Sequence, residues 1–149
     1  MAALLAGGNA AAEDVLSTLL ERLPGVQAIS ISTDDGGCIL RVVGTAAPPA
    51  TDAGEGEASA LAHPAVEGGD AEAMLVSLFT FASEQIGKIQ FGEVQSMTAF
   101  YSGCCLVHVN CSPLVLTFVG GADMNVGLVL AASKLLVPQL RATLPKDVA

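Results

Sequence analysis

The chain has no tryptophan, a single tyrosine, and six lysines and arginines against fifteen acidic residues. At a net charge of −9, with no two basic residues adjacent, it offers no basic stripe. Binding to a phosphate backbone draws on counterion release by clustered Lys and Arg, so nucleic acid is excluded as a partner. Long hydrophobic runs are missing as well. The most apolar stretches, near residues 114–119 and 126–132, fall far short of the ~20 residues that a bilayer core demands. The opening MAALLAGGNAAAED has no basic n-region, none of the Arg and Ser of a transit peptide, and no Gly at position two for myristoylation. Membrane contact is therefore expected only indirectly, through a partner. The cysteines, Cys38, Cys104, Cys105 and Cys111, follow no disulfide-framework spacing, and reduced thiols are expected.

What is present is apolar and lean in charge: 52% hydrophobic and 14% charged over 149 residues. That length suits one domain, able to bury roughly 70% of its unfolded surface. The scarcity of charge implies that a partner covers some of the apolar surface.

Leucine and valine at helical spacing (Val15, Leu16, Leu19, Leu20, Leu23) predict a helix over 13–23, with Glu13 and Asp14 at its N-terminus and Pro24-Gly25 ending it. VQAISIST and CILRVV, joined by Asp34-Asp35-Gly36-Gly37, read as a β-hairpin. Residues 44–69 turn to Ala, Pro, Gly and acids without Lys or Arg, and are expected to form a mobile loop dispensable for folding. A second helix is predicted over 70–89. One stripe on it, Leu75, Phe79, Ala82, Ile86 and Ile89, is expected to face the sheet. A neighbouring stripe, Met74, Leu78 and Phe81, exceeds what one sheet needs: it marks either a helix buried more deeply in one core or, the reading preferred with so little charge, contact with another subunit. Three strands follow at hairpin spacing: EVQSMTAFY, CCLVHVNC and LVLTFVG. A last helix is expected from about 124 to 144, bent or broken at Pro138. The order α-β-β-α-β-β-β-α makes an α+β sandwich, a five-stranded antiparallel sheet with helices on both faces.

Chemistry does not emerge from this pattern. Gly120, Gly121 and Gly127 lack the Lys-Ser or Lys-Thr of a P-loop and the parallel strand–helix–strand unit of a dinucleotide site. They read better as a sharp turn from sheet to helix, capped by Asp123 or Asn125. Strand alternation sets Cys104 and His108 on one face and Cys105 and Cys111 on the other, so the four cannot converge on a metal. His63 lies in the acidic loop, and no triad or carboxylate pair is spaced for catalysis. No catalytic, cofactor or metal site is expected.

Several collinear segments carry a resemblance. LLERLPGVQAISISTDDG, FTFASEQIGKIQFGEVQSMTAFYSG, SPLVLTFVGGADMNVGLV and LLVPQL are similar to segments of a Ragulator family, the mitogen-activated protein kinase scaffold (MEK partner) subunits, across residues 13–144 outside the loop. The loop is longer than that family suggests, and Gly37-Cys38 replace a more proline-like turn. The resemblance implies a roadblock-type domain, related to longin folds, that pairs with a second roadblock-type subunit through the second helix and third strand. On this chain the implied interface comprises Met74, Leu78, Phe81, Gln85, Val94, Met97, Ala99 and Tyr101. It further implies a lipid-anchored Ragulator subunit holding the pair on late endosomes and lysosomes, docking of Rag GTPases for signalling to the target-of-rapamycin complex, and gathering of MEK and ERK kinases. Roadblock domains also serve as dynein light chains and GTPase regulators, so a homodimer of that kind stays open. A small ligand-binding enzyme built on the Gly120–Gly127 turn is the reading from another class.

Overall fold

The computed structural model describes residues 2–44 and 70–143. The segment 45–69, most of the loop expected to be mobile, lies outside the described residues. Helix α1 (Ala2–Arg22) leads into strands β1 (Val26–Thr33) and β2 (Cys38–Val43). Helix α2 (Asp70–Gly87) precedes β3 (Ser96–Phe100), β4 (Cys104–Cys111) and β5 (Leu114–Gly121), and α3 (Val126–Thr143) follows. The five strands form one antiparallel sheet in the order β2-β1-β5-β4-β3. This is the architecture read from the sequence. β5 sits at the centre, and its apolar residues are buried on both faces, as expected for a strand with helices on each side.

Alternation along the strands divides two cores. Ile29, Ile31, Cys105, Val107, Val109, Cys111, Leu116 and Phe118 join Leu16, Val129, Leu136 and Leu140 in the large cluster under α1 and α3. Ala28, Cys104, Leu106 and Val119 face the other way, toward Leu75 of α2. Cys104 thus parts from Cys105 and Cys111, as the parity of an extended strand requires.

Three helix expectations need correction. α1 begins at Ala2 rather than near Glu13, because the alanine-rich opening has enough helix propensity to carry Gly7 and Gly8. α3 runs through Pro138, where a bend or a break was expected, without breaking, held by Val129, Ser133, Leu136 and Leu140 buried on one side. Its length and mean hydropathy of 1.2 reach what a membrane-crossing helix needs, but that buried side is part of the sheet core. On α2 the residues turned to the sheet are Glu72, Leu75, Val76 and Phe79, whereas Ile86 and Ile89, expected to face inward, are 45% and 60% exposed. The helix ends at Gly87, so Ile89 is no longer carried on its inner face.

The entry into α3 answers the glycine question structurally. Gly120 lies within β5, its Cα close to Gly25 and Met124, and Gly121 N donates to the Gly25 carbonyl at 3.1 Å. Asn125 caps the helix, its Oδ1 accepting from Leu128 N at 3.1 Å.

Candidate partner interface

α2 lies across one face of the sheet. Near its start Glu72 reaches Ser30 of β1 and Arg41 of β2. Further along, Phe79 stacks on His108 of β4 with ring centroids 5.3 Å apart. Val76 and Phe79 share a small core with Val115, against which Val94 and Met97 pack. The helix therefore connects the β2 side of the sheet to the β3 edge.

Its outer side is apolar. Met74, Leu78 and Phe81 are 65%, 55% and 61% exposed, an i, i+4, i+7 stripe of the kind a surface helix ordinarily turns inward. Gln85 continues the stripe, exposed, and accepts from Lys88 Nζ at 3.0 Å. Val94, Met97 and Ala99 are half-buried at the sheet edge, and Tyr101 is exposed beyond the end of β3. The structure thus sets all eight sequence-derived residues on α2 or along the chain at the β3 edge. Two of them, Val94 and Met97, are already engaged in this chain's own core.

Sequence reasoning missed the exposure of Phe91 and Phe100, which are 92% and 71% accessible. Phe100 alternates away from Met97 and Ala99, so it belongs to the other face of the sheet. The strand alternation itself carried that signal. Phe91 follows the end of α2 and had no periodicity to place it.

Among the described residues β3 pairs on one side only, with β4. Its register and bonds give the direction of every amide. Asn110 N donates to Gln95 O at 2.8 Å, and Tyr101 N donates to Cys104 O at 2.8 Å. Gln95 and Tyr101 are therefore hydrogen-bonded positions of the antiparallel ladder, and alternation makes Met97 and Ala99 the same, opposite His108 and Leu106. Ser96, Thr98 and Phe100 turn their N–H and C=O groups to the open edge. Met97, at the centre of the expected seam, packs its side chain against Val76, Phe79 and Val115 and turns its backbone to β4, while Thr98 turns its N–H to the open edge.

Residues 60–147 match the family described as mitogen-activated protein kinase kinase 1 interacting. Ragulator complex protein LAMTOR3 of Danio rerio is 28% identical over 130 residues, covering 85% of this chain and 90% of its own. The LAMTOR3 homolog of Dictyostelium discoideum is 32% identical over 66 residues, 44% of this chain and 50% of its own. Among solved structures, a Roadblock/LC7 domain from Streptomyces avermitilis aligns with a TM-score of 0.61 at 14% identity, over 87% of this chain and 94% of that one. The gliding protein MglB of Thermus thermophilus aligns with a TM-score of 0.65 at 12% identity, over 91% and 90%. At such identities the likeness is one of fold: the sheet and its three helices are those of the roadblock/LC7 fold.

Proposed function

We propose that this chain, which belongs to the mitogen-activated protein kinase kinase 1 interacting family, is a non-enzymatic adaptor. It is a roadblock-type domain that heterodimerises with a second roadblock-type subunit through α2 and the open edge of β3. One observation carries the reading: the exposed stripe Met74, Leu78 and Phe81 lies on the helix packed beside a sheet edge whose outer row of backbone groups is unpaired among the described residues. A partner strand would satisfy that row while a partner helix covers the stripe. A second copy of this chain fits less well, since it would join −9 to −9.

The family and the LAMTOR3 relatives support membership of a Ragulator-like complex. In that assembly a lipid-anchored subunit holds the heterodimer on the cytoplasmic face of late endosomes and lysosomes. The complex docks Rag GTPases for amino-acid signalling to the target-of-rapamycin complex and gathers MEK and ERK kinases. The roles of Gly120 and Gly121 in packing and turning, rather than in cradling a ligand, favour an adaptor over an enzyme.

Affinity capture of the tagged full chain from native extract, with mass spectrometry, tests the reading. A roadblock-type subunit and a lipid-anchored Ragulator subunit are expected together. Recovery of dynein chains, or of a self-dimer with no second roadblock subunit, would overturn it.

A further inference from the structure

The sheet has two unlike faces. Toward α1 and α3 it is apolar from strand to strand, with Ile29, Ile31, Leu116, Phe118, Val107 and Val109. Toward α2 the register aligns one row across all the strands: Arg41, Ser30, Thr117, His108 and Met97. Every member but Met97 is polar, and the next row on the same face, Ala28, Val119, Leu106 and Ala99, is apolar, so α2 crosses a polar band within a mixed surface. Thr117 Oγ1 and His108 Nδ1 satisfy each other at 3.0 Å. Glu72, 5% exposed, accepts from Ser30 Oγ, and its Oε2 lies 3.4 Å from Arg41 Nε.

Apolar contact beneath α2 is divided between two small clusters, Leu75 with Ala28, Cys104, Leu106 and Val119, and Val76 and Phe79 with Val115. Apolar attraction has no direction and tolerates a helix sliding along its axis. A buried carboxylate does not: moved by one turn, about 5.4 Å, it would lose both partners in a place where water cannot replace them. The same displacement would redirect the outer stripe, because Met74 and Leu78 are rigidly one turn apart on the same helix.

We propose that Glu72 is a positioning residue which, through Ser30 and Arg41, fixes α2 along the sheet and so aims Met74, Leu78 and Phe81 at the partner. Its consequence for binding rests on the interface reading above; the register of α2 does not. A buried ion pair of this kind contributes little net stability over apolar residues of similar size, but it selects one arrangement.

The test compares the full chain with the combined variant Ser30→Ala, Arg41→Met, Glu72→Met, in which neither Glu72 nor Arg41 is left facing a missing counter-charge. Two readouts are taken. In the chain alone, the His108 imidazole is titrated by NMR; burial under Phe79 holds its pKa down to about 4. The variant is expected to unfold at or above the wild-type temperature, yet titrate His108 closer to 6.5, because a displaced helix admits water to the ring. Affinity for the roadblock-type subunit captured with the wild-type chain, measured by calorimetry, is expected to fall about tenfold or more. Wild-type titration with wild-type affinity would overturn the proposal. Should the combined variant fail to fold, Glu72→Gln keeps an acceptor for Ser30 but loses the charge facing Arg41, and the same two measurements decide. Leu78→Asp is the control for the interface. If that variant binds as wild type, the interface reading fails, and the His108 titration alone then upholds or overturns the register.

Discussion

At Gly36 the backbone holds φ at +94°, and a Cβ there would sit 2.5 Å from the carbonyl oxygen of Ala73, in the first turns of α2. The hairpin tip and the helix meet backbone to backbone, and Ser77 Oγ donates to the Asp35 carbonyl at 3.0 Å alongside. Gly36→Ala is therefore expected to lower unfolding free energy in urea by about 1–3 kcal/mol, combining left-handed strain with a displaced helix. His108 makes a second prediction at this scale. Its folded pKa of about 4 lies below the 6.5 of a free imidazole because burial disfavours the charged ring. As pH falls the unfolded chain takes up this proton first, so the contribution is complete above 6.5 and is lost progressively down to about 4. It amounts to about 3 kcal/mol. His108→Gln should remove that part of the acid destabilisation, seen as a flatter dependence of urea stability on pH between 7 and 4. The Cys and His parity was legible in CCLVHVNC because alternation is local. The burial of Glu72 was not, since an acid in the first turn of a helix reads as a complement to the helix dipole. Only the register of β1 with β2 reveals the Ser30 and Arg41 side by side beneath it.

For the elements, β3 decides the most. Thr98→Pro would remove an N–H that faces the open edge and leave the β4 ladder whole, so the chain should fold with an unchanged circular dichroism spectrum and lose its partner in co-purification. Met97→Pro would strike the chain's own ladder and lower its stability whether or not a partner exists. Leu78→Asp should likewise leave the isolated chain folded and weaken the heterodimer, by setting an uncompensated charge between two helices. On α3, Pro138 lacks the N–H its turn requires and is solvent-exposed. Pro138→Ala is expected to stabilise the chain by about 1–3 kcal/mol in thermal or urea unfolding. Element order and type were legible from hydrophobic period and turn residues. Of the bend or break expected at Pro138, the break does not occur, because tertiary burial of Leu136 and Leu140 on either side outweighs one lost hydrogen bond. The inward stripe of α2 was right at Leu75 and Phe79 and misjudged at Ile86 and Ile89, because periodicity does not say how far along the helix the sheet extends or that the helix ends at Gly87.

Across the whole molecule, the proposed heterodimer accounts for two features together, the low charge content and the outward apolar stripe. The large core lies under α1 and α3, whereas α2 meets the sheet through two small apolar clusters and the Glu72 contacts and carries Met74, Leu78 and Phe81 on its far side. On the proposed reading, a second subunit covers α2 and pairs with β3. Hydrogen exchange at the β3 backbone measures this most directly, with the chain alone and then with the roadblock-type subunit captured from extract. The amides of Met97 and Ala99, bonded to β4, should be protected in both. Those of Ser96, Thr98 and Phe100 should exchange rapidly in the chain alone and become protected in the complex. A complex that forms while Ser96, Thr98 and Phe100 go on exchanging as in the isolated chain would contradict pairing across this edge.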